Sequence, residues 1–303
     1  MTATPPRLSL GVVIVTRDRA QSLERTLHEL AAIPETGLAP IVVVDNGSSS
    51  PHASRNRAAC AVHPHARLVD AGGNLGVASF NLGARSLNTD TILILDDDAW
   101  PESGAVAAAL ALLASRPNIA AVALHPHHPR TRRSEWPFVA SSRSAAVAPR
   151  GGWPFLQCGN LIRHADYLAA GGYEPAYFLY SNDTDLALKL LARGRDVWFD
   201  PAWIVWHDCP TASHRPLLWC RLATRNRIWT ARRHLGPLRG RWIGILAAGA
   251  ALRVAGLSPR RALAVTRGMI EGMTGPAPPL PATVPRDRRG FTELLRLARR
   301  RGV

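Results

Sequence analysis

Thr91-Ile-Leu-Ile-Leu-Asp-Asp-Asp-Ala-Trp-Pro101 is the stretch whose reading decides the fold. Ile92–Leu95 has the length and apolar character of a buried strand, and Trp100-Pro101 reads as the turn that closes it. Asp96, Asp97 and Asp98 stand at its carboxyl end. Three adjacent negative charges repel one another and are costly to desolvate, so a cation is expected there. On an extended backbone, side chains two apart share a face. Asp96 and Asp98 are therefore expected to point together, with Asp97 on the opposite face in the more structural role. Two carboxylates at a strand end suit a hard divalent cation holding a phosphate-bearing ligand. A solvated acidic turn or a helix cap would use the same residues for less.

Upstream, Leu10–Thr16 reads as a buried strand, Ala20–Ala32 as a helix with Leu23, Leu27 and Leu30 on one face, and Ile41–Val44 as a second strand. Arg67–Val69 reads as a short third strand and Val77–Leu87 as a helix. Downstream, Ser103–Ala114 reads as a helix, Ile119–Leu124 as a strand and His125–Trp153 as a loop rich in Pro, Arg, Ser and His. Phe155–Ile162 follows, then a helix near His164–Ala170. Asp183–Ala192 reads as an amphipathic helix, with Val197–Phe199 and Trp203–Trp206 as two short strands. This alternation argues for an α/β protein: a mostly parallel sheet covered by helices on both faces.

The chain has 303 residues, 47% of them hydrophobic, enough for one large core or for one domain plus an appendage. Cys60, Cys158, Cys209 and Cys220 form no CxxC pair, which fits a reducing cytosol, and Met1–Leu10 shows no secretory signal. The formal net charge of +15 is unevenly spread. Thr211–Val303 holds 19 arginines, no lysine and three acids, a net of +16, so the remainder carries −1. A nearly neutral body thus bears a basic tail of the kind that binds anionic membranes, nucleic acid or acidic partners. Its apolar stretch Trp242–Leu257, broken by Arg253, is too short for a confident span and fits a helix lying in the membrane interface. Pro276–Pro285 reads as a linker and Phe291–Arg301 as a last basic helix. The expected division is a catalytic domain over 1–235 and a basic helical extension over 236–303.

Ligands of open α/β sheets bind at the carboxyl ends of the strands. Thr16-Arg17-Asp18-Arg19 and Asp45-Asn46-Gly47 end the first two strands, so Thr16, Asp45 and the Asp triplet are expected to face one crevice. Gly72-Gly73-Asn74-Leu75-Gly76 resembles a phosphate loop but lacks the GxGxxG spacing and the Walker lysine. Asp183 opens a helix and serves either as its cap or as a general base for an acceptor hydroxyl. His207 leaves a strand and offers an imidazole as a further metal ligand. His125, His127 and His128 fall in the loop and are less specific.

These residues, in this order, resemble the family 2 glycosyltransferases, which have a GT-A fold. The similarity is carried by VVIVTRDR (12–19), IVVVDNGSSS (41–50), GGNLGVASFNLGAR (72–85), LILDDDAWP (93–101), CGNLIRHADYLAAGGYEP (158–175), FLYSNDTDLALKLLARG (178–194), WIVWHDCP (203–210) and RLATRNRIW (221–229). The nearest flavour is the rhamnosyl- and galactofuranosyl-transferase branch of bacterial cell-surface polysaccharide synthesis. The resemblance implies that Thr16, Arg17 and Asp45 hold the base and ribose of a nucleotide-diphosphate sugar, UDP- or dTDP-linked, with Asn74 near the nucleotide. It makes Asp96–Asp98 the DxD element: Asp96 touches the donor, Asp97 sits with the donor-side group, and Asp98 binds Mg2+ or Mn2+ together with His207. Asp183 becomes the catalytic base of an inverting transfer. Asn182 replaces the glutamate of the commonest pattern, which bears on acceptor positioning, a task also assigned to Asp185, Trp153 and Asn160. The acceptor expected is a hydroxyl, such as that of a lipid-linked glycan, and the enzyme is expected at the cytoplasmic membrane face, with no nucleic-acid partner.

Two other classes use the same residues. A nucleotidyltransferase also places strand-end carboxylates and a metal around a nucleotide. It wants a lysine near the first strand, whereas Lys189 is the chain's sole lysine and only Arg17 and Arg19 could substitute. A non-enzymatic nucleic-acid or membrane module would be driven by the tail alone. Natural-product aglycones are a further class of acceptor.

Overall fold

The computed structural model describes residues 8–135, 155–156, 158–209, 216–255, 258–287, 290 and 292. Its elements run β1 (Leu10–Thr16), α1 (Ala20–Ala31), α2 (Pro34–Gly37), β2 (Ile41–Asp45), α3 (Ser50–Ala61), β3 (Ala66–Asp70), α4 (Ser79–Arg85), β4 (Thr91–Asp96), β5 (Ala99–Pro101) and α5 (Ala105–Ser115). They continue with β6 (Ile119–His127), β7 (Asn160–Arg163), α6 (His164–Ala169), α7 (Asn182–Ala192), β8 (Asp196–His207), α8 (Leu217–Leu235), α9 (Pro237–Ala255) and α10 (Pro259–Thr274).

The strands form one sheet in the order β3-β2-β1-β4-β7-β6-β8-β5. The parallel block β3-β2-β1-β4 is in the register expected of strands that start together: Val12 opposes Ile41 and Leu93, and Thr16 opposes Asp45. Val15 opposes Asp96, so the three polar strand ends finish at one level. β7 runs antiparallel between β4 and β6, and β5 runs antiparallel to β8. Both faces are covered. Val13, Val42, Val44 and Ile94 meet Phe80, Tyr167, Leu186 and Leu190 on one side. Val12, Ile14, Val43 and Leu95 meet Leu23, Leu27, Val106 and Leu113 on the other. Alternation along each strand sends successive side chains to the two cores, which is why these strands read as continuous apolar runs.

Three expectations are corrected, and one helix was not anticipated. Trp100-Pro101 is not the turn; the chain turns at Asp97-Asp98, and Ala99–Pro101 pairs with β8 as the last strand of the sheet. Proline is tolerated there because an edge strand leaves its missing N–H unneeded. Val197–Phe199 and Trp203–Trp206 are one strand, interrupted by a bulge around Pro201 where the register against β6 shifts between Ala123 and His125. His125–His127 belong to β6, not to a loop. Ser50–Ala61 is a helix that the sequence pattern did not announce. Trp153 and most of Phe291–Arg301 lie outside the described residues.

The basic extension is packed against the body. α9 and α10 both lie on α8, close enough that a Cβ on Gly268 would stand 2.1 Å from the Arg221 carbonyl oxygen. Past α10 the chain returns to the sheet-bearing half, where Arg193 donates to Thr283 O at 2.6 Å and Thr283 Oγ1 donates to Ala169 O at 2.6 Å. α8 therefore serves both halves, and residue 235 marks the end of a shared helix.

Candidate functional site

The ends of β1 and β4 meet through Thr16 and Asp97. Thr16 Oγ1 donates to Asp97 Oδ2 at 2.7 Å, and Thr26 Oγ1 donates to the Asp97 carbonyl at 2.8 Å. Arg19 Nη1 is 3.1 Å from Asp97 Oδ1, and its other terminal nitrogen bonds Asp98 Oδ2. Arg19 is thus a cation built into the chain at this strand end, bridging two of the three carboxylates. Asp97 and Asp98 are buried, while Asp96 is the accessible member, its side chain 47% exposed. Burial pushes Asp97 up to about 7 in spite of Arg19. Asp98 is held down at about 2: burial opposes this, but His207 and Arg19 outweigh it.

The pairing Ala99↔His207 brings the end of β8 onto the triplet, and Asp208 N donates to Asp98 O at 2.9 Å. His207 Nε2 then lies 3.3 Å from Asp98 Oδ1 and 3.9 Å from Asp96 Oδ2. Its other nitrogen, Nδ1, is 2.8 Å from Glu135 Oε2. Burial disfavours the imidazolium, yet Cys158, Asp98 and Glu135 together raise its pKa, so the spot favours positive charge. Asp98 Oδ1 is buried and receives no well-aligned hydrogen bond. Among the described residues, ligand atoms of Asp98, His207 and Cys209, and of Asp96, Cys158 and His207, lie within 4.8 Å of one another. An orphaned buried oxygen, an imidazole facing it and a carboxylate fixing that imidazole from behind fit a divalent cation. Beside Asp98 opens a cleft of about 430 Å³, lined among others by Arg19, Arg25, Trp100 and Arg130.

The other candidates divide. Asp45 Oδ1 accepts from Ser48 N at 2.8 Å and Oδ2 from Asn56 Nδ2 at 3.0 Å, a buried carboxylate fixed at the end of β2. Arg17 is half exposed and reaches Gly47 O at 3.5 Å. Asn74 is tied locally, its Oδ1 accepting from Asn46 Nδ2 at 3.1 Å and Gly76 N at 3.1 Å. The glycine-rich stretch turns tightly here. Gly76 has φ +57, and a Cβ on it would sit 2.1 Å from Phe178 O. Asn160, buried on β7 opposite Ile94, donates to Leu156 O at 3.4 Å.

Asp183 and Asn182 start α7. The segment before them is held in unusual backbone conformations: Phe178, Tyr180 and Ser181 all have positive φ (63, 68 and 58). Asn226 of α8 pins this segment, its buried Nδ2 facing the carbonyls of Tyr177 at 3.0 Å, Leu179 at 2.7 Å and Tyr180 at 2.9 Å. Backbone strain of this kind persists only where surroundings enforce it. Burial pushes the Asp183 carboxyl up to about 6, although the amides of Thr184 and Asp183 itself, and Arg227, hold it down; Asp96 is near enough to raise it further. Asp185 does something else than position an acceptor. Its side chain is 1% exposed and meets Lys189 Nζ at 3.4 Å, Arg233 Nη1 at 3.2 Å and His234 Nε2 at 3.0 Å, clamping α7 to α8.

Glu135, Asn226 and Arg19 take parts here that the sequence reading left unassigned. Glu135 is the sole acid in 125–153, and that isolation within a basic stretch was its one available signal.

The family model for glycosyl transferase family 2 matches residues 11–172. N-acetylglucosaminyl-diphospho-decaprenol L-rhamnosyltransferase of Mycobacterium tuberculosis is 25% identical over 291 residues, which cover 78% of this chain and 90% of that protein. Among solved structures, a mannosyltransferase of Pyrobaculum calidifontis in complex with GDP-Man and Mn2+ superposes with a TM-score of 0.65 at 18% identity, covering 90% of each chain. TarS of S. aureus in complex with UDP-GlcNAc superposes at 0.60 with 11% identity, covering 88% of this chain and 81% of that one. At these identities the two structures establish the shared fold.

Proposed function

The chain belongs to glycosyl transferase family 2, and from that premise we propose that it is an inverting, cation-dependent glycosyltransferase that moves a hexose or deoxyhexose from a UDP- or dTDP-sugar to a hydroxyl of a lipid-linked glycan. The observation that supports this best is the convergence of His207 on Asp98 and Asp96, at 3.3 and 3.9 Å, from segments far apart in sequence. Thr16, Arg17, Asp45 and Asn74 line the nucleotide side, and Asp96 reaches the ribose or sugar.

Asp98 and His207 would hold Mg2+ or Mn2+, which when bound offsets the charge that builds on the departing diphosphate. Arg19, already on Asp97 and Asp98, adds a fixed positive charge on the same side. Asp183 takes the proton of the acceptor hydroxyl as its oxygen bonds the anomeric carbon. The bond from that carbon to the diphosphate oxygen breaks on the opposite face, and the nucleoside diphosphate leaves with the electron pair. No second, nucleophilic carboxylate is required. A carboxyl near 6 is poised for this: ionised at neutral pH, yet more basic than a solvated aspartate. The arginine-rich extension docks the enzyme on an anionic membrane surface, near a lipid-linked acceptor. Asp183→Asn tests the reading. Transfer is expected to fall about 10²–10⁴-fold while donor affinity by calorimetry stays within error; full transfer in that variant rejects the base assignment.

A further inference from the structure

The imidazole that faces the triplet is flanked by sulfur. Cys209 Sγ lies within 4.8 Å of the ligand atoms of Asp98 and His207, and Cys158 Sγ stands in the same relation to Asp96 and His207. Neither thiol has a part in the transfer chemistry above. Cys209 is the one grouped with Asp98, whose Oδ1 is buried, faces His207 Nε2 at 3.3 Å and receives no well-aligned hydrogen bond. Its placement is enforced by the backbone. Ala99 opposes His207 in the β5–β8 pairing, and Asp208 N is bonded to Asp98 O at 2.9 Å, so the chain leading into Cys209 is held beside the triplet as far as Asp208. Arg19 occupies Asp98 Oδ2 and leaves Oδ1 as a one-oxygen donor.

From this geometry we infer that Cys209 is a sulfur ligand of the cation site, and that the site takes a thiophilic transition ion such as Zn2+ or Co2+ in preference to Mg2+. The inference rests on Asp98 and His207 being cation ligands. Mg2+ demands near-octahedral oxygen coordination and gives up water reluctantly. One imidazole, one thiolate and one carboxylate oxygen make instead the mixed N/S/O set that a tetrahedral ion accepts, with a fourth position left for water or substrate. Donor atoms around such an ion stand roughly 3.3–3.8 Å apart, given metal–ligand bonds of about 2.0–2.3 Å. Drawing the three ligand atoms in from within 4.8 Å asks only a side-chain adjustment. On binding, the Sγ–H bond breaks, the proton goes to solvent and the sulfur lone pair forms the bond to the metal. A site so built binds Zn2+ more tightly than Mn2+ or Mg2+, so zinc displaces the ions that support transfer.

Cobalt reports sulfur ligation directly, through near-ultraviolet thiolate-to-cobalt charge-transfer absorption. The full chain titrated with Co2+ should bind one ion by calorimetry and develop this absorption. Cys209→Ser should abolish the absorption and weaken Co2+ and Zn2+ by about tenfold or more, leaving Mn2+ affinity nearly unchanged. Cys158→Ser, Cys60→Ser and Cys220→Ser should keep the absorption. Asp98→Asn should weaken all three ions. Cobalt that binds in an Asp98-dependent way without charge transfer, or charge transfer that survives Cys209→Ser, overturns sulfur ligation and leaves the cation site standing. Cobalt that does not bind, or binds regardless of Asp98→Asn, removes both. Circular dichroism of Cys209→Ser and of Cys209→Ala separates loss of the ligand from loss of the fold.

Discussion

The proposed chemistry turns on proton transfer at one residue and on the orientation of another. Asp183 can accept a proton only when ionised, so the transfer rate should rise with pH and level off, half-maximal near 6, where burial has placed this carboxyl. A rate profile under saturating donor checks this; a flat profile from pH 5 to 8 would place the proton transfer elsewhere. Glu135 touches no reacting atom but fixes His207 through Nδ1 at 2.8 Å. It sets which nitrogen faces Asp98 and keeps that nitrogen available. Glu135→Ala is therefore expected to weaken Mn2+ binding about 10–100-fold, the usual cost of losing a carboxylate behind a ligating histidine. Calorimetry with Mn2+ measures it, and an unchanged affinity would show that His207 does not bind the ion. Thr16, assigned to the nucleotide by resemblance, also holds Asp97 in place. Thr16→Val leaves that buried carboxylate short of a donor, at about 1–3 kcal/mol in chemical denaturation.

At the level of elements, α7 carries the proposed base and α8 is clamped to α7. The contact is ionic and buried: Asp185 meets Lys189, Arg233 and His234, and Tyr177 OH donates toward it at 3.4 Å. Asp185→Asn leaves those cations without their counter-charge, an expected loss of about 3–5 kcal/mol. Its pH signature follows from sign. The folded-state pKa of Asp185 is depressed, against burial, by Lys189, His234 and Arg233, so its contribution is complete above an unfolded aspartate's pKa of about 3.9 and fades as pH falls below it. Thermal melts between pH 3 and 7 should show wild type losing this increment in acid and Asp185→Asn lacking it throughout. This role was not legible from the sequence, because Asp183 and Asp185 look alike at the start of one helix. Two positions along a helix turn them to different sides: one to the cleft, one to α8. Strands β1, β2 and β4 were legible because each side chain meets a core on one face or the other, leaving unbroken apolar runs. α3 was not: of SPHASRNRAACA only Asn56, Ala59 and Cys60 are buried, so tertiary contact rather than an apolar stripe fixes it. The Asp triplet was legible as a site but not in its geometry, because the turn at Asp97-Asp98 and the built-in cation Arg19 come from pairing with β8 and from α1.

Over the whole molecule, charge and apolar surface are separated in a way that gives the enzyme an orientation. α9 packs on α8 by one side and turns Leu238, Trp242, Ile245, Leu246 and Leu252 outward, 40–81% exposed, with exposed Arg239 and Arg241 among them. These positions recur at helical spacing and form a stripe on one face. α10 adds Leu263 and Ile270, 53% and 54% exposed. No helix among the described residues is long and apolar enough to cross a membrane; the proposed docking would lay this stripe along the membrane surface. Apolar side chains with arginines beside them suit the boundary between headgroups and acyl chains, with about 1 kcal/mol gained per basic residue near an anionic surface. The full chain should therefore sediment with vesicles containing phosphatidylserine or phosphatidylglycerol, bind phosphatidylcholine vesicles weakly, and lose part of its binding as salt rises. The double variant Trp242→Ser/Leu246→Ser should lose most vesicle binding while transferring sugar to a water-soluble acceptor at the wild-type rate, since neither residue enters the cleft. Vesicle binding that survives this change would leave only charge to hold the enzyme on the membrane. A matching loss of transfer to the soluble acceptor would mean that α9 serves the catalytic site through α8, the helix on which both the stripe and the base depend.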